Sequence, residues 1–346
     1  MRRRCPVIAL LVAALASGCG VAGAPRAPAD TATPARLVWP EPPAQARIRF
    51  VGVVARPADL GVRPSVWERL GDVIFGRQEE WLIRPTAIVS RGQRLYVADP
   101  GAQALWVLDA QRGRFRKVQK AGDLALVSPV GVAAGPDDRI YLADSFLARI
   151  FVYDEDLALV ATIRDPAFRR PAGVAFDGVR NRLYVADSGA HQVLVLAPDG
   201  ARLGVIGRRG TGDGEFNFPT YVAVDRAGTL FVTDSLGFQI QAFGTDGRLV
   251  SRFGRHGDSS GDFARPKGVA LDSEGHVYVV EALFDAVQIF DRQGRFLLSF
   301  GERGLRPGQF WLPAGVFIDG QDRIYVADAF NQRIQVFQYL AGGGDG

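Results

Sequence analysis

The chain has 346 residues, and 47% of them are hydrophobic, which is sufficient for a large core. Its formal net charge is +4. Three arginines lie in an N-terminal segment that we expect to be removed, which leaves 38 basic residues against 37 acidic ones. A nearly neutral mature chain lacks the strongly basic character of most nucleic-acid-binding domains, so we expect no nucleic-acid partner.

Residues 1–18 have the pattern of a signal peptide. Positive charges at the start are followed by an apolar run over residues 7–16 and by Ala-Ser-Gly-Cys at residues 16–19. The run is shorter than the roughly 18 residues of a transmembrane helix, and the small residues are typical of a cleavage site. The segment resembles a bacterial lipoprotein signal, which implies that Cys19 is acylated and becomes the mature N-terminus. Ordinary secretion, with Cys19 present by chance, is the alternative.

Cleavage before Cys19 also removes Cys5, the other cysteine of the chain. The mature protein then has no second thiol for a disulfide, so its core alone must stabilise it. Gly20, directly after the acylated cysteine, is similar to the residue found in lipoproteins sent to the outer membrane. We therefore expect a lipid-anchored protein of the bacterial cell envelope, located in the outer membrane.

Three segments follow the signal peptide and precede the main part of the chain. Residues 19–46 are rich in Ala and Pro, which predicts an extended tether between lipid and domain. Residues 47–54 alternate as a β-strand. Residues 64–75 predict a helix whose apolar side chains fall on one face. We expect this face to pack on the following domain, with a membrane or a partner as the alternatives.

A repeat of 42 to 48 residues fills the rest of the chain. In residues 266–300, Gly, Asp and Pro separate four short runs of β-branched and aromatic residues, which predicts an antiparallel meander. Each unit begins with a proline and has an acidic residue at the end of its second strand: Pro85, Pro129, Pro171, Pro219, Pro266 and Pro313; Asp99, Asp144, Asp187, Asp234, Glu281 and Asp328. Because one meander cannot cover both of its own faces, six copies predict a closed ring of packed blades.

The predicted fold is therefore all-β, a six-bladed β-propeller of four-stranded antiparallel blades over residues 47–340, with a flexible tail at 341–346. The last blade is one strand short, because its third strand at residues 333–339 is followed only by a glycine-rich end. The spare strand at residues 47–54 is the candidate to complete it. This pairing would bury Ile48 and Phe50, or the residues that alternate with them, and protect an open sheet edge.

Three motifs in these units resemble the NHL repeat. They are Pro-x-Gly-Val-Ala, Ile-Tyr-Val-Ala-Asp at residues 324–328 and Gln-Arg-Ile-Gln-Val-Phe at residues 332–337. The resemblance covers about residues 84–340 and implies a six-bladed propeller. It does not imply one function, because the family includes lyases, RNA-binding domains and protein-interaction platforms.

The sequence offers little for catalysis, for a metal or for a cofactor. Its three histidines, His191, His256 and His276, occupy different positions of different repeats, whereas NHL lyases hold zinc with histidines at the propeller centre. The glycines at residues 210–214 lead into a strand and not into the helix start of a phosphate loop. The six acidic residues suggest calcium, but a residue present in every blade more simply accepts hydrogen bonds from nearby amides. We expect no catalytic residue, no metal and no cofactor.

The loops between second and third strands share one face of a propeller with the linkers between blades. On this face the loops hold apolar side chains and the linkers hold basic ones, which is typical of protein-binding surfaces. The candidate binding residues are Phe146, Leu147, Leu236, Phe238, Leu283, Phe284, Phe330, Arg209, Arg255 and Lys267. The alternative is that these side chains seal the gaps between blades.

We therefore expect a membrane-anchored platform that binds a protein partner in the envelope. Two other functions stay open at this point. One is a propeller enzyme of the lyase or lactonase type with its site at the central channel. The other is a protein that binds an anionic envelope glycan through the arginines.

Overall fold

Short antiparallel strands follow one another through the residues that the computed structural model describes, which are 37–55, 59, 82–109, 111–112 and 114–341. These residues belong to the unit Arg36–Gly346. The predicted signal peptide with Cys19, the predicted helix at 64–75 and most of the predicted tail lie outside the described residues. Within the described ranges, no helix is long and apolar enough to cross a membrane.

Two strands, β1 (Val38–Trp39) and β2 (Ile48–Val54), precede the first blade. Blade 1 consists of β3 (Ala87–Arg91), β4 (Arg94–Asp99), β5 (Ala104–Asp109) and β6 (Arg114–Val118). A short hairpin of β7 (Lys120–Ala121) and β8 (Leu124–Ala125) leads to the next blade. Blade 2 consists of β9 (Pro129–Ala134), β10 (Ile140–Asp144), β11 (Arg149–Tyr153) and β12 (Leu159–Ile163).

The next two blades have the same strand order. Blade 3 consists of β13 (Pro171–Asp177), β14 (Arg182–Asp187), β15 (Gln192–Leu196) and β16 (Arg202–Ile206). Blade 4 consists of β17 (Pro219–Val224), β18 (Leu230–Asp234), β19 (Gln239–Phe243) and β20 (Leu249–Phe253).

Blade 5 consists of β21 (Pro266–Leu271), β22 (Val277–Glu281), β23 (Ala286–Phe290) and β24 (Phe296–Phe300). Blade 6 takes β25 (Val316–Ile318), β26 (Arg323–Asp328) and β27 (Arg333–Tyr339) from the end of the chain. In each sheet, sequential strands are hydrogen-bonded neighbours and run antiparallel. The predicted six-bladed all-β fold is confirmed.

The core is divided among the six interfaces between neighbouring blades. The second and third strands are buried almost throughout, because both of their faces carry apolar side chains that pack on the blades at either side. Between blades 2 and 3, for example, Tyr141 and Ile150 pack with Leu183 and Leu194. Each blade therefore depends on its neighbours for burial, as the repeat pattern predicts.

The first strands, which surround the central axis, approach one another closely. A Cβ added at Gly131 of blade 2 would lie 2.0 Å from the carbonyl oxygen of Ala172 in blade 3. A Cβ at Gly315 of blade 6 would lie 2.3 Å from the carbonyl oxygen of Thr86 in blade 1. The glycine of the Pro-x-Gly motif is thus required because the backbone of the next blade occupies the space of a side chain.

The ring is closed by the strand that the sequence predicts for this role. Strand β2 pairs antiparallel with β27, from Ile48 opposite Tyr339 to Val54 opposite Ile334. Ile48 and Val54 are buried. The ring of Phe50 lies edge-on to that of Phe337, with 5.6 Å between ring centres. The two ends of the propeller are therefore joined in one sheet, which leaves no open edge on β27.

A fifth strand in blade 6 is not predicted by the sequence pattern. Strand β1 pairs with β2. It lies within residues 19–46, which the composition predicts to be an extended tether. The ring of Trp39 lies 5.8 Å from that of Phe300 in blade 5 and 5.7 Å from that of Phe337 in blade 6. The N-terminal segment thus also packs against the interface between the last two blades.

Candidate functional site

The two faces of the ring differ in what they present to solvent. We call the face with the loops between second and third strands, and with the linkers between blades, the loop face. The opposite face carries the turns between first and second strands, and we call it the turn face. All of the sequence-predicted binding residues among the described ranges come from elements of the loop face.

Six buried carboxylates lie beneath the loop face, one at the end of each second strand. The carboxylate of Asp187 shows their bonding. Its oxygens accept hydrogen bonds from the backbone N–H groups of Arg169 (2.7 Å) and Arg170 (2.8 Å) in the preceding linker. They also accept from Gly189 (3.1 Å) and Ala190 (3.0 Å) in the following loop. Each carboxylate of this kind ties a linker to a loop, so its oxygens are used by the backbone.

Burial raises the pKa of Asp234, Glu281 and Asp328, although backbone donors act in the opposite direction. Asp328 also forms an ion pair with Arg333, whose Nε lies 2.7 Å from a carboxylate oxygen. Among the described residues, no group of three or more His, Cys, Asp or Glu side chains is placed to hold a metal ion. The observed geometry of the acidic residues is that of a structural element of every blade.

The tips of four loops present apolar side chains to solvent. The second residue after the buried carboxylate is Phe146 in blade 2, Leu236 in blade 4, Leu283 in blade 5 and Phe330 in blade 6. Their exposed fractions are 74%, 51%, 53% and 48%. Phe330 also contacts Trp311, which is 40% exposed in the neighbouring linker, with ring centres 5.8 Å apart. We call these four residues the loop tips.

The other three apolar candidates are half-buried, and two of them pack against the apolar clusters between blades. Leu147 packs against the cluster between blades 1 and 2. Phe238 packs against the cluster between blades 4 and 5, and its ring centre lies 4.4 Å from that of His256. Phe284 is half-buried beside the exposed Leu283. The structure therefore divides the predicted set into exposed tips and partly buried flanks.

The three basic candidates lie in different surroundings. Arg209 is exposed in the linker to blade 4. Arg255 is exposed in the linker to blade 5, with Nε 2.7 Å from a carboxylate oxygen of Asp262. Lys267 is half-buried on the first strand of blade 5. Burial, and after it the positive charges of neighbouring arginines, lowers the pKa of Lys267 to about 8.

Two residues of the loop face are missed by the sequence pattern because they lie in linkers and not in loops. Trp311 stands two residues before the proline of blade 6, where its only signal is an aromatic side chain in a glycine-rich linker. Leu305, in the same linker, is 70% exposed. The contact between Trp311 and Phe330 shows that this linker lies beside the loop of blade 6, which places both residues on the loop face.

The central channel is interrupted near the loop face. The hydroxyl of Tyr221 in blade 4 donates a hydrogen bond to the carbonyl oxygen of Thr86 in blade 1, at 3.0 Å. From this level a cavity of about 400 Å³ extends along the first strands to the turn face. Near the turn face, Arg292 and Asp225 form an ion pair at 3.0 Å.

Comparisons with known proteins agree with this architecture. Residues 168–196, in blade 3, and residues 310–337, in blade 6, match the NHL repeat. No curated protein matches the chain in sequence.

Similar solved structures are also propellers of distant sequence. A streptogramin B lyase has 13% identity, with 75% of this chain and 94% of that chain covered and a TM-score of 0.57. Virginiamycin B lyase from Staphylococcus aureus has 11% identity, with 75% and 96% covered and a TM-score of 0.56. A nidogen/laminin complex contains a chain with 17% identity, with 72% and 88% covered and a TM-score of 0.54. At these identities the similarity shows the fold alone. The chain is thus a six-bladed β-propeller that contains NHL repeats.

Proposed function

We propose that this protein is a lipid-anchored binding platform of the bacterial cell envelope, whose loop face receives a protein partner with an acidic surface. One observation carries this proposal. The loop tips place large apolar side chains in solvent at the same position of four blades, with exposed fractions from 48% to 74%. Clustered apolar groups that are exposed in this way supply most of the binding energy at protein interfaces.

The alternative, in which these side chains seal the blades, is disfavoured by what already fills the gaps. Phe216, Phe263 and Phe310 come from the three glycine-rich linkers, and each is fully buried. Each belongs to the apolar cluster of one interface between blades. None of the four loop tips belongs to such a cluster, so burial of the core does not require them.

The charge of the loop face supports a partner with an acidic surface. Arg209, Arg303 and Arg306 are exposed, and in the part of the chain that the structure describes no carboxylate forms an ion pair with them. Arginines around an apolar centre steer and orient an acidic partner more than they add to its affinity. A neutral or basic partner would gain nothing from this arrangement.

The anchor in this proposal rests on the signal sequence alone. Acylation at Cys19 would leave 18 residues before Val38, where β1 begins. Such a segment spans at most roughly 60 Å when fully extended. That reach would let the loop face meet a partner at a distance from the membrane surface.

The anchor has its own test. Cys19→Ala should move the full-length protein from the membrane fraction to the soluble envelope fraction, or stop its maturation. Mass spectrometry of the wild-type protein should show a lipid on the mature N-terminus. A soluble wild-type protein without lipid would contradict the anchor and leave the binding proposal intact.

Partner binding is tested by changing exposed loop tips in cells that produce the full chain. Phe146→Ser combined with Leu236→Ser should abolish cross-linking to the partner seen with the wild type, and the melting temperature should stay nearly constant. Val179→Ser is the matched control, because Val179 is 78% exposed on the turn face. Retention of the same cross-linked partner by the double variant would contradict the proposed site. Capture of a glycan in place of a protein would contradict the proposed partner class.

A further inference from the structure

We propose that the mouth of the central channel, on the loop face, is a binding site for a small oxyanion with at least two negative charges, carried on phosphate or carboxylate groups. The site consists of Arg84, Arg170, Arg265 and Lys267. We call this set the basic mouth. Its ligand does not depend on whether the loop tips bind a protein.

The three arginines occupy the same position in alternate blades. Each directly precedes the proline at the start of the first strand, in blades 1, 3 and 5. Each backbone N–H donates to the buried carboxylate of its own blade, at 2.9 Å for Arg84, 2.8 Å for Arg170 and 2.8 Å for Arg265. Since the blades follow one another around a ring, alternate blades place the three residues at the corners of a triangle about the channel axis.

Lys267 is the fourth member of the set. It lies two residues after Arg265, on the first strand of blade 5, and is half-buried. Burial contributes most to the lowered pKa of its ammonium group, followed by the positive charges of Arg265, Arg170 and Arg84. The three guanidinium groups are therefore close enough to Lys267 to repel its charge.

The buried carboxylates of Asp99, Asp187 and Glu281 lie beneath the basic mouth, and that of Glu281 is attracted to the charge of Arg265, but their oxygens accept hydrogen bonds from backbone N–H groups. Across the described ranges, none of its four side chains forms an ion pair with a carboxylate. Elsewhere on the loop face, Arg208 pairs with Glu215 at 2.9 Å and Arg255 pairs with Asp262 at 2.7 Å. Like charges gathered around a partly desolvated ammonium group attract a counter-ion of high charge, since each added negative charge interacts with all of them.

The backbone makes room for two of these arginines. A Cβ at Gly101 of blade 1 would lie 2.9 Å from the Cβ of Arg84, and a Cβ at Gly189 of blade 3 would lie 3.0 Å from the Cβ of Arg170. In the other four blades, the residue at the position of these glycines is one of the four loop tips. Blade 5 combines Arg265 with the loop tip Leu283, so only blades 1 and 3 combine the arginine with a glycine at this position.

The channel below the basic mouth is closed, so a ligand would stay at the entrance. Tyr221 spans the channel from blade 4 to the carbonyl oxygen of Thr86. Its strand position corresponds to Gly268 in blade 5, which is one residue deeper than Lys267. The guanidinium carbon of Arg170 also lies 5.9 Å from the ring centre of Phe218, which borders the same entrance. The site is thus bounded by Tyr221 on the channel side and by Phe218 beside Arg170.

Isothermal titration calorimetry of the full-length protein at low ionic strength tests the site, with inorganic phosphate, citrate and acetate as probes. We expect phosphate, citrate or both to bind and acetate to bind far more weakly. Lys267→Met and Arg170→Gln should each weaken binding by about tenfold or more, because each removes a charged hydrogen-bond donor. Arg248→Gln is the matched control, because Arg248 is an exposed arginine in the turn between the third and fourth strands of blade 4, and it should bind like the wild type. Melting curves of all variants check that they fold.

A second readout separates a bound anion from a general charge effect. An anion beside Lys267 raises the pKa of its ammonium group, so binding at pH 8.5 should take up part of a proton. Calorimetry in two buffers of different ionisation enthalpy measures this uptake, which should vanish in Lys267→Met. Binding of phosphate without citrate would assign the site to phosphate groups, and the reverse result to carboxylates. Absence of binding by both, equal binding of acetate, or equal losses in Lys267→Met and Arg248→Gln would overturn the proposal.

Discussion

The hydroxyl of Tyr221 in blade 4 donates a 3.0 Å hydrogen bond to the carbonyl oxygen of Thr86 in blade 1, directly across the ring. The equivalent position holds only small residues in the other blades, which are Ala87, Gly131, Gly173, Gly268 and Gly315. Burial raises the pKa of Tyr221, so its phenol stays protonated and remains a donor at neutral pH. One side chain therefore closes the channel and joins two opposite blades.

Tyr221→Phe should lower the free energy of unfolding by about 1 kcal/mol, because it removes this hydrogen bond and leaves the ring in place. Urea denaturation of the two proteins measures the difference. Tyr184→Phe is the control, since the hydroxyl of Tyr184 has no hydrogen bond to another described residue. Equal losses for both variants would show that the contact to Thr86 contributes nothing specific.

Asp187 gives a test of the buried carboxylates. Asp187→Ala should destabilise the fold by about 3 kcal/mol or more, because four backbone N–H groups lose their acceptor. Asp199→Ala is the comparison, because the carboxylate of Asp199 accepts a single bond from Ala201 in an exposed turn. Denaturant unfolding of both variants measures the contrast. If Asp187→Ala were as stable as Asp199→Ala, the structural role of the acidic position would be wrong.

Trp39 tests how much the unpredicted fifth strand adds to ring closure. Trp39→Ala should cost about 2 kcal/mol, because the half-buried indole packs on Phe300 and Phe337. Val51→Ala, on the exposed side of β2, should change the stability by less than about 0.5 kcal/mol. Thermal unfolding followed by circular dichroism compares the three proteins. An unchanged melting temperature for Trp39→Ala would show that the ring closes without this contact.

Lys267 makes stability depend on pH in a defined direction. Because its pKa is lowered to about 8 in the folded protein, the unfolded chain holds this proton more tightly between about pH 8 and 10.4. The protonated Lys267 therefore lowers the free energy of unfolding by its full amount below pH 8, and this loss disappears as the pH rises through this window. In buffers without multivalent anions, Lys267→Met should therefore raise the free energy of unfolding by about 2 kcal/mol at pH 7, and the gain should shrink towards pH 10.5.

Urea titrations at pH 7, 9 and 10.5 follow this difference. Lys120→Met, at an exposed lysine of the hairpin between blades 1 and 2, is the control and should change stability by less than about 0.5 kcal/mol at each pH. A gain for Lys267→Met that stayed constant from pH 7 to 10.5 would contradict the assigned titration and would point to improved packing by methionine.

The repeat in the sequence is sufficient to predict the blades and their number. The repeat unit recurs six times, with a proline at one end and a carboxylate inside it. Such a period indicates that each repeat forms its own four-stranded sheet mostly from its own residues. The missing strand of the last blade also follows from the sequence, because a sheet edge without a partner leaves backbone groups unpaired. The pairing of β2 with β27 confirms this prediction.

The face that carries the candidate binding residues also follows from the sequence, because strand order alone decides which loops lie together. The sequence does not show how far each side chain is exposed. Phe146, the second residue after its buried carboxylate, is 74% exposed, whereas Phe238, the fourth residue after Asp234, is half-buried against His256. The position within the loop and the contact with the neighbouring linker together decide this difference.

The sequence by itself determined the fold, the ring closure and the face that carries the candidate binding residues, because these depend on local periodicity and on strand order. Only the tertiary structure showed that Tyr221 crosses the channel to Thr86, which is 135 positions away in the chain. Only the tertiary structure also brings the positive charges of Arg84 and Arg170 near Lys267, from which they are 183 and 97 positions away. They lie close together because ring closure brings the same register position of every blade to a common axis. No pattern within a single repeat predicts this.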